Sequence, residues 1–199
     1  TLLGCMSTLA QVVEDHIELL DAKGKTPAVI NAIVPFVDHA NATLKVEALL
    51  TCTVLLEQVT INQAGPCHAS FQPLLPTLLG KLAGVFNAAP TSDMLRYAIK
   101  CLYLAFPFQA ELSPQFDQIA DLVASKANDS CENVRLEVVE FWRAVLHFPV
   151  FAERTHRLMP NILAYLLDCM LYSEIEMSML AANEHDYNVP DKADDIKPR

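Results

Sequence analysis

Apolar residues along this chain recur at steps of three and four, not two. Val46, Leu49, Leu50, Thr53 and Val54 form one such run, and Val134, Val138, Phe141 and Val145 form another. Side chains at that spacing share one face of an α-helix, and the alternation that marks a half-buried strand is absent. Breakers fall between the periodic stretches, at Gly24 with Pro27, Gly65-Pro66, Ala89-Pro90, Pro107, Pro114 and Pro149. Asn41, Ser92, Ser113 and Ser130 are short polar residues able to accept from the open amides of a new helix, so they are the expected N-caps. The pattern predicts a helix over 1–20, helix pairs near 27–60, 67–107 and 113–148, then a helix over 153–171 and a looser end.

The helix pairs repeat. Ile33-Val34-Pro35-Phe36-Val37, Leu74-Leu75-Pro76-Thr77-Leu78-Leu79, Phe116-Asp117-Gln118-Ile119-Ala120 and Leu158-Met159-Pro160-Asn161-Ile162-Leu163 recur at close to forty residues, near the period of HEAT and armadillo helix pairs. After each of the first three comes a polar gap and then an aliphatic residue followed by a base, Leu44-Lys45, Leu95-Arg96 and Val134-Arg135, where second helices should open. One such pair can bury its apolar face only against its neighbours. The expected fold is therefore an all-α HEAT-repeat solenoid, a right-handed stack of antiparallel helix pairs, over residues 1–171 without an internal boundary.

Composition narrows the function. With 52% hydrophobic and 19% charged residues in 199, the chain is long and apolar enough for a sizeable core. Its 24 acidic and 14 basic residues give a formal charge of -10, which disfavours nucleic acid and favours a partner with a basic surface. Every apolar run is broken within about twenty residues, so no membrane span is expected. The opening Thr1 begins no basic-headed apolar leader, and a piece of a longer protein is expected. Six cysteines without a C-x-x-C pair argue for reduced thiols in an intracellular compartment. Cys52 and Cys101 lie in apolar helical patterns and should pack as small hydrophobes.

Candidate chemistry is sparse. The six histidines are dispersed, with no pair at i, i+4 around a carboxylate, so no metal is expected. There is no Gly-x-Ser-x-Gly, and five glycines without a βα turn leave no phosphate-cradling loop, which argues against catalysis and a nucleotide cofactor. Glu137 and Glu140, three apart, share a helical face, and Glu132 stands at or just before the first turn of that helix. Charge on one helix face is usually solvation; the alternative is a patch for a basic partner. Trp142 falls toward the apolar side and should pack between repeats. From Tyr172 onward the apolar pattern fades, and Asp191, Asp194 and Asp195 mark an acidic end over 172–199.

The order Glu132-Asn133-Val134, Leu136-Glu137, Glu140-Phe141-Trp142, Leu158-Met159-Pro160, Tyr172-Ser173 with Ile175, and Asp195-Ile196-Lys197-Pro198-Arg199 resembles transportin-like nuclear import receptors of the importin-β (karyopherin) family. The resemblance is specific over 130–199 and diffuse before that. It implies the amino-terminal arch of a receptor that binds the GTP form of the Ran GTPase and shuttles between cytoplasm and nucleus. Import cargo would be bound by parts of the parent protein outside this chain. It further implies that Glu132, Glu137 and Glu140 receive a basic patch of Ran. Asp191, Asp194 and Asp195 would begin an acidic loop, inserted within a repeat, that couples Ran binding to cargo release. The rival expectation is a HEAT scaffold or adaptor, such as the structural subunit of a phosphatase, with no transport role.

Overall fold

The computed structural model describes residues 2–61, 65–88 and 90–170. Among the described residues every regular element is helical. The chain divides into two units, Thr1–Thr155 and His156–Arg199. Residues 172–199, expected as the acidic segment and carrying Asp191, Asp194 and Asp195, lie outside the described residues.

Helix α1 (Leu2–Ala22) bends at His16, whose φ of -137° and ψ of 27° are not helical. It stops at Gly24, where φ is +62°. Gly24 N–H donates to the Asp21 carbonyl at 2.9 Å and Lys25 N–H to that of Leu20 at 2.8 Å, the paired bonds of a glycine-terminated helix end. The Thr26 hydroxyl then donates to the Asp21 carboxylate, and α2 (Thr26–Ile33) begins with Pro27 in its first turn.

The first helix of each later pair is built in pieces. α2 passes into a 3-10 turn at Val34–Asp38. α4 (Pro66–Phe71) reaches α5 (Leu75–Asn87) through Gln72–Leu74, and α7 (Gln109–Leu112) reaches α8 (Phe116–Ala124) through Ser113–Gln115. α10 (Pro149–Ala152) is followed by the 3-10 stretch Glu153–Leu158. Pro35, Pro73 and Pro114 stand in the first three of these steps. A proline ring there removes one amide donor and crowds the preceding turn, so the chain tightens to 3-10 geometry before resuming. The sequence pattern takes Pro35 as central to a first helix and Pro114 as a breaker between helices, and shows the 3-10 step at neither. It also starts the third pair at 113, whereas the helix begins at Gln109.

The second helices are longer: α3 (Ala42–Ile61), α6 (Ser92–Leu104) and α9 (Glu132–Val145). They form one layer in the order α1, α3, α6, α9, with the broken first helices packed beside them. α3 is enclosed on almost every side, burying Leu44, Ala48, Leu49, Cys52, Leu55, Leu56 and Val59. Its buried Thr51 and Thr53 hydroxyls donate to the carbonyls of Glu47 and Leu50, both at 2.7 Å, so neither is left without a partner in the core. Cys52 and Cys101 are wholly buried, and the Cys101 thiol donates to the Leu49 carbonyl at 3.7 Å. The all-α HEAT-type stack expected from the repeat is the observed fold class.

The caps divide. Asn41 behaves as expected, its Oδ1 accepting from Leu44 N–H at 3.1 Å. For α6 the cap is Thr91, which accepts from Met94 N–H at 3.4 Å, and Ser92 is already helical. Ser113 lies within a 3-10 turn, and its carbonyl accepts from Arg154 at 2.5 Å. Ser130 precedes a helix whose cap position is Cys131, while Asp129 accepts from the Cys131 amide at 2.9 Å.

Candidate functional site

The three carboxylates expected to meet a partner all belong to α9, and the structure gives each a different environment. Glu132 opens the helix and is exposed, a favourable place for negative charge beside the unpaired amides of the first turn. Glu137 is buried, its side chain only 12% exposed. Its Oε1 accepts from Arg96 Nε at 3.3 Å and its Oε2 from the Tyr103 hydroxyl at 2.9 Å, both on the neighbouring helix α6. Glu140, one turn on, is 30% exposed and holds Arg143 of its own helix, accepting from Nε at 2.9 Å and Nη2 at 2.6 Å.

The surroundings add two further charges. Lys100 of α6 pairs with Glu57 of α3 at 2.7 Å. Arg96, Lys100 and Tyr103 therefore run along α6 at helical spacing, with Glu57 on one side and Glu137 on the other. The Tyr103 hydroxyl is pushed well above the usual phenol range, first by burial and then by the charge of Glu137 and the hydrogen bond to it. Arg143 is held more firmly protonated by its bonds to Glu140.

Sequence reasoning marks Arg96 only as a base opening a second helix and does not mark Lys100, Tyr103 or Glu57. The signal that finds them is the repeat register itself. Arg96 and Glu137 stand 41 positions apart, and Lys100 and Glu57 stand 43 apart, each about one helix-pair period. The broken first helices carry the same register, through Asp38 with Lys81 at 2.5 Å, Gln72 with Glu111 at 2.8 Å, and Asp117 with Arg154 at 2.8 Å.

Trp142 is buried and meets Phe141 edge-on, with ring centroids 5.0 Å apart. Its side chain belongs to the core. A shallow cleft of about 320 Å³ crosses the ends of α3, α6 and α9, floored by Leu104, Pro107 and Phe148 with Arg143 and His147 at its edge. His68, beside Cys67, stacks on Phe108 with centroids 4.4 Å apart. Among the described residues no three His, Cys, Asp or Glu side chains converge as a metal site. Among them, too, no helix is long and apolar enough to cross a membrane.

No family model matches this sequence. Over 201 residues, 98% of the chain, it is 25% identical to importin subunit beta-2 of Schizosaccharomyces pombe, of which it covers 21%. The same identity and coverage relate it to transportin-1 of Mus musculus. Transportin of Dictyostelium discoideum is 25% identical over 202 residues, 98% of this chain and 20% of that protein. The chain thus spans about a fifth of the length of these curated relatives. The similarity is distant and supports a karyopherin-like relationship that agrees with the helix-pair fold.

Proposed function

We propose that this chain is part of a transportin-like nucleocytoplasmic transport receptor, from the arch that binds Ran in its GTP form, and that it helps couple Ran binding to release of import cargo. The similarity to importin beta-2 and transportin carries this reading because it runs through nearly the whole chain, well beyond the motifs at its end. In this reading the chain is a binding module that shuttles between cytoplasm and nucleus, and cargo is held by other parts of the receptor. The formal charge of -10 suits a basic partner surface. Glu132 and Glu140 supply the accessible carboxylates of α9, and Asp191, Asp194 and Asp195 begin an acidic segment that takes part in cargo release.

The test is a complete receptor with Glu132→Lys and Glu140→Lys. Charge reversal at a polar rim acts mainly on association rate and salt dependence. Calorimetry with Ran-GTP at low salt should show affinity lower by about tenfold, from roughly 0.7 kcal/mol per reversed site, and the deficit should shrink as salt rises. Equal affinity at low salt removes these residues from the interface.

One observation favours the rival reading of a scaffold or adaptor without a transport role. Glu57, Glu137 and Glu140 each already have an internal cation, as on a face that only joins repeats. A complete parent protein that fails to bind Ran-GTP selects that reading.

A further inference from the structure

We infer that Glu137 is a positioning residue: it locks α9 to α6 through Arg96 and Tyr103, and a basic partner is met by Glu132 and Glu140 instead. The inference deepens the proposed Ran-binding reading and rests on it for its functional half. By sequence, Glu137 and Glu140 are equivalent, three apart on one face. Their surroundings are not. The Glu137 side chain is 12% exposed against 30% for Glu140, and its two oxygens are taken by two different donors of the adjacent helix.

Those donors stand seven positions apart on α6, two turns of helix and about 10 Å along the axis. A carboxylate bonded to both therefore fixes the sliding of α9 along α6 as well as their separation. A cation arriving from solvent would have to share Oε1 with Arg96 Nε or displace it, at a carboxylate whose side chain is only 12% exposed. Such an exchange inside a half-buried site costs more than the exposed pairing it replaces. At Glu140 the competing cation is Arg143, 64% exposed and on the same helix, so that carboxylate can change partners without disturbing any helix contact.

A positioning role and a contact role separate under substitution. Gln at 137 keeps one acceptor, for the Tyr103 hydroxyl, and gives up the charge and the bond from Arg96, because its NH2 cannot accept; Ala removes both bonds. In the complete receptor, Glu137→Gln should bind Ran-GTP within about threefold of the unaltered protein and with the same dependence on salt, because no partner charge is lost. Glu137→Ala should weaken binding by about tenfold, again with unchanged salt dependence, and adding Arg96→Met should weaken it little further, as expected for residues acting as a unit. Glu140→Gln is the contrast, flattening the salt dependence. Hydrogen exchange on the same receptors without Ran supplies the second readout: Glu137→Ala should speed exchange in both α6 and α9, and Glu137→Gln, which keeps one of the two bonds, should speed it less. A Gln variant that flattens the salt dependence as Glu140→Gln does overturns the inference, and so does an Ala variant whose exchange in α6 and α9 is unchanged. If the unaltered receptor does not bind Ran-GTP, the functional reading fails by itself and the exchange measurement still decides whether Glu137 is the lock.

Discussion

Phe106 lies just past the end of α6, fully buried, where the third helix pair meets what precedes and follows it. Its ring centroid is 5.3 Å from those of Phe141 and Phe151, 5.6 Å from Phe148 and 6.3 Å from Phe116. Phe116 and Phe151 stack on each other behind it at 4.5 Å. Phe106→Ala would empty the centre of this cluster. Truncation of a buried phenylalanine costs about 3–5 kcal/mol, and edge-to-face pairs add about 0.5–1.5 kcal/mol each beyond area burial. These terms overlap, so the upper part of the first range, about 4–5 kcal/mol, is the expected loss. In a stack held by neighbour contacts the loss falls on the adjacent interfaces. Trp142, the chain's one tryptophan, is buried against Phe141 and so reports from the affected junction. Urea unfolding of the 199-residue chain, followed by its fluorescence, should show the midpoint lowered by at least about 1.5 M, taking a slope of about 1–3 kcal/mol/M. Phe106→Leu should lose much less. A midpoint within about 0.3 M of the unaltered chain would mean that the cluster closes over the gap, and the reading of Phe106 as the keystone of this junction would be refuted.

Alkali should destabilise the chain through groups buried in their neutral forms. Burial pushes the Cys52 thiol from 9.0 up to about 12 and raises Cys101 well above its ordinary value. A group whose folded pKa is raised stabilises the fold fully below its unfolded pKa and loses that contribution as pH climbs toward the folded value. For Cys52 the window is therefore 9 to 12, and at pH 10.5 its share of the loss is about 2 kcal/mol at 1.36 kcal/mol per pH unit. Denaturant titrations under reducing conditions should show stability falling across that window, with Cys52→Ala flattening the slope; parallel slopes would refute the assignment. Asn41→Ala should cost about 1 kcal/mol by removing the cap on α3, read as a lowered melting temperature. No change there would mean that the Leu44 amide finds water at no cost.

Much of the fold is legible because it is periodic. The steps of three and four identify the second helices, the forty-residue recurrence identifies their stacking, and Leu44-Lys45, Leu95-Arg96 and Val134-Arg135 each fall near the start of one. What is missed depends on contacts at a distance or on a choice between neighbours. Thr91 and Ser92 are both competent caps, and their spacing to the apolar stripe cannot decide between them. Glu137 looks like Glu140 until α6 is placed beside it, because its partners lie 41 and 34 positions earlier. The 3-10 steps are half visible: Pro35 and Pro114 stand out at two of them, but the resumption of helix beyond is dictated by packing.

The same register explains how a chain with a formal charge of -10 can present a nearly balanced face along α3, α6 and α9. Acidic Glu57 and Glu137 flank α6, which carries Lys100 and Arg96 facing them, and Glu140 is matched by Arg143. A basic partner docking on this face competes with cations already in place. At exposed pairs the competition is nearly even, since such pairs are worth about 0–1 kcal/mol, so a partner offering several fixed cations gains by replacing Lys100 and Arg143. At Glu137 the internal cation has the advantage of a second donor, Tyr103, and of shelter from water. Binding on this face would then free Lys100 and Arg143 while leaving the α6–α9 lock closed, and the helix register that positions Glu132 and Glu140 survives the exchange of charges around it.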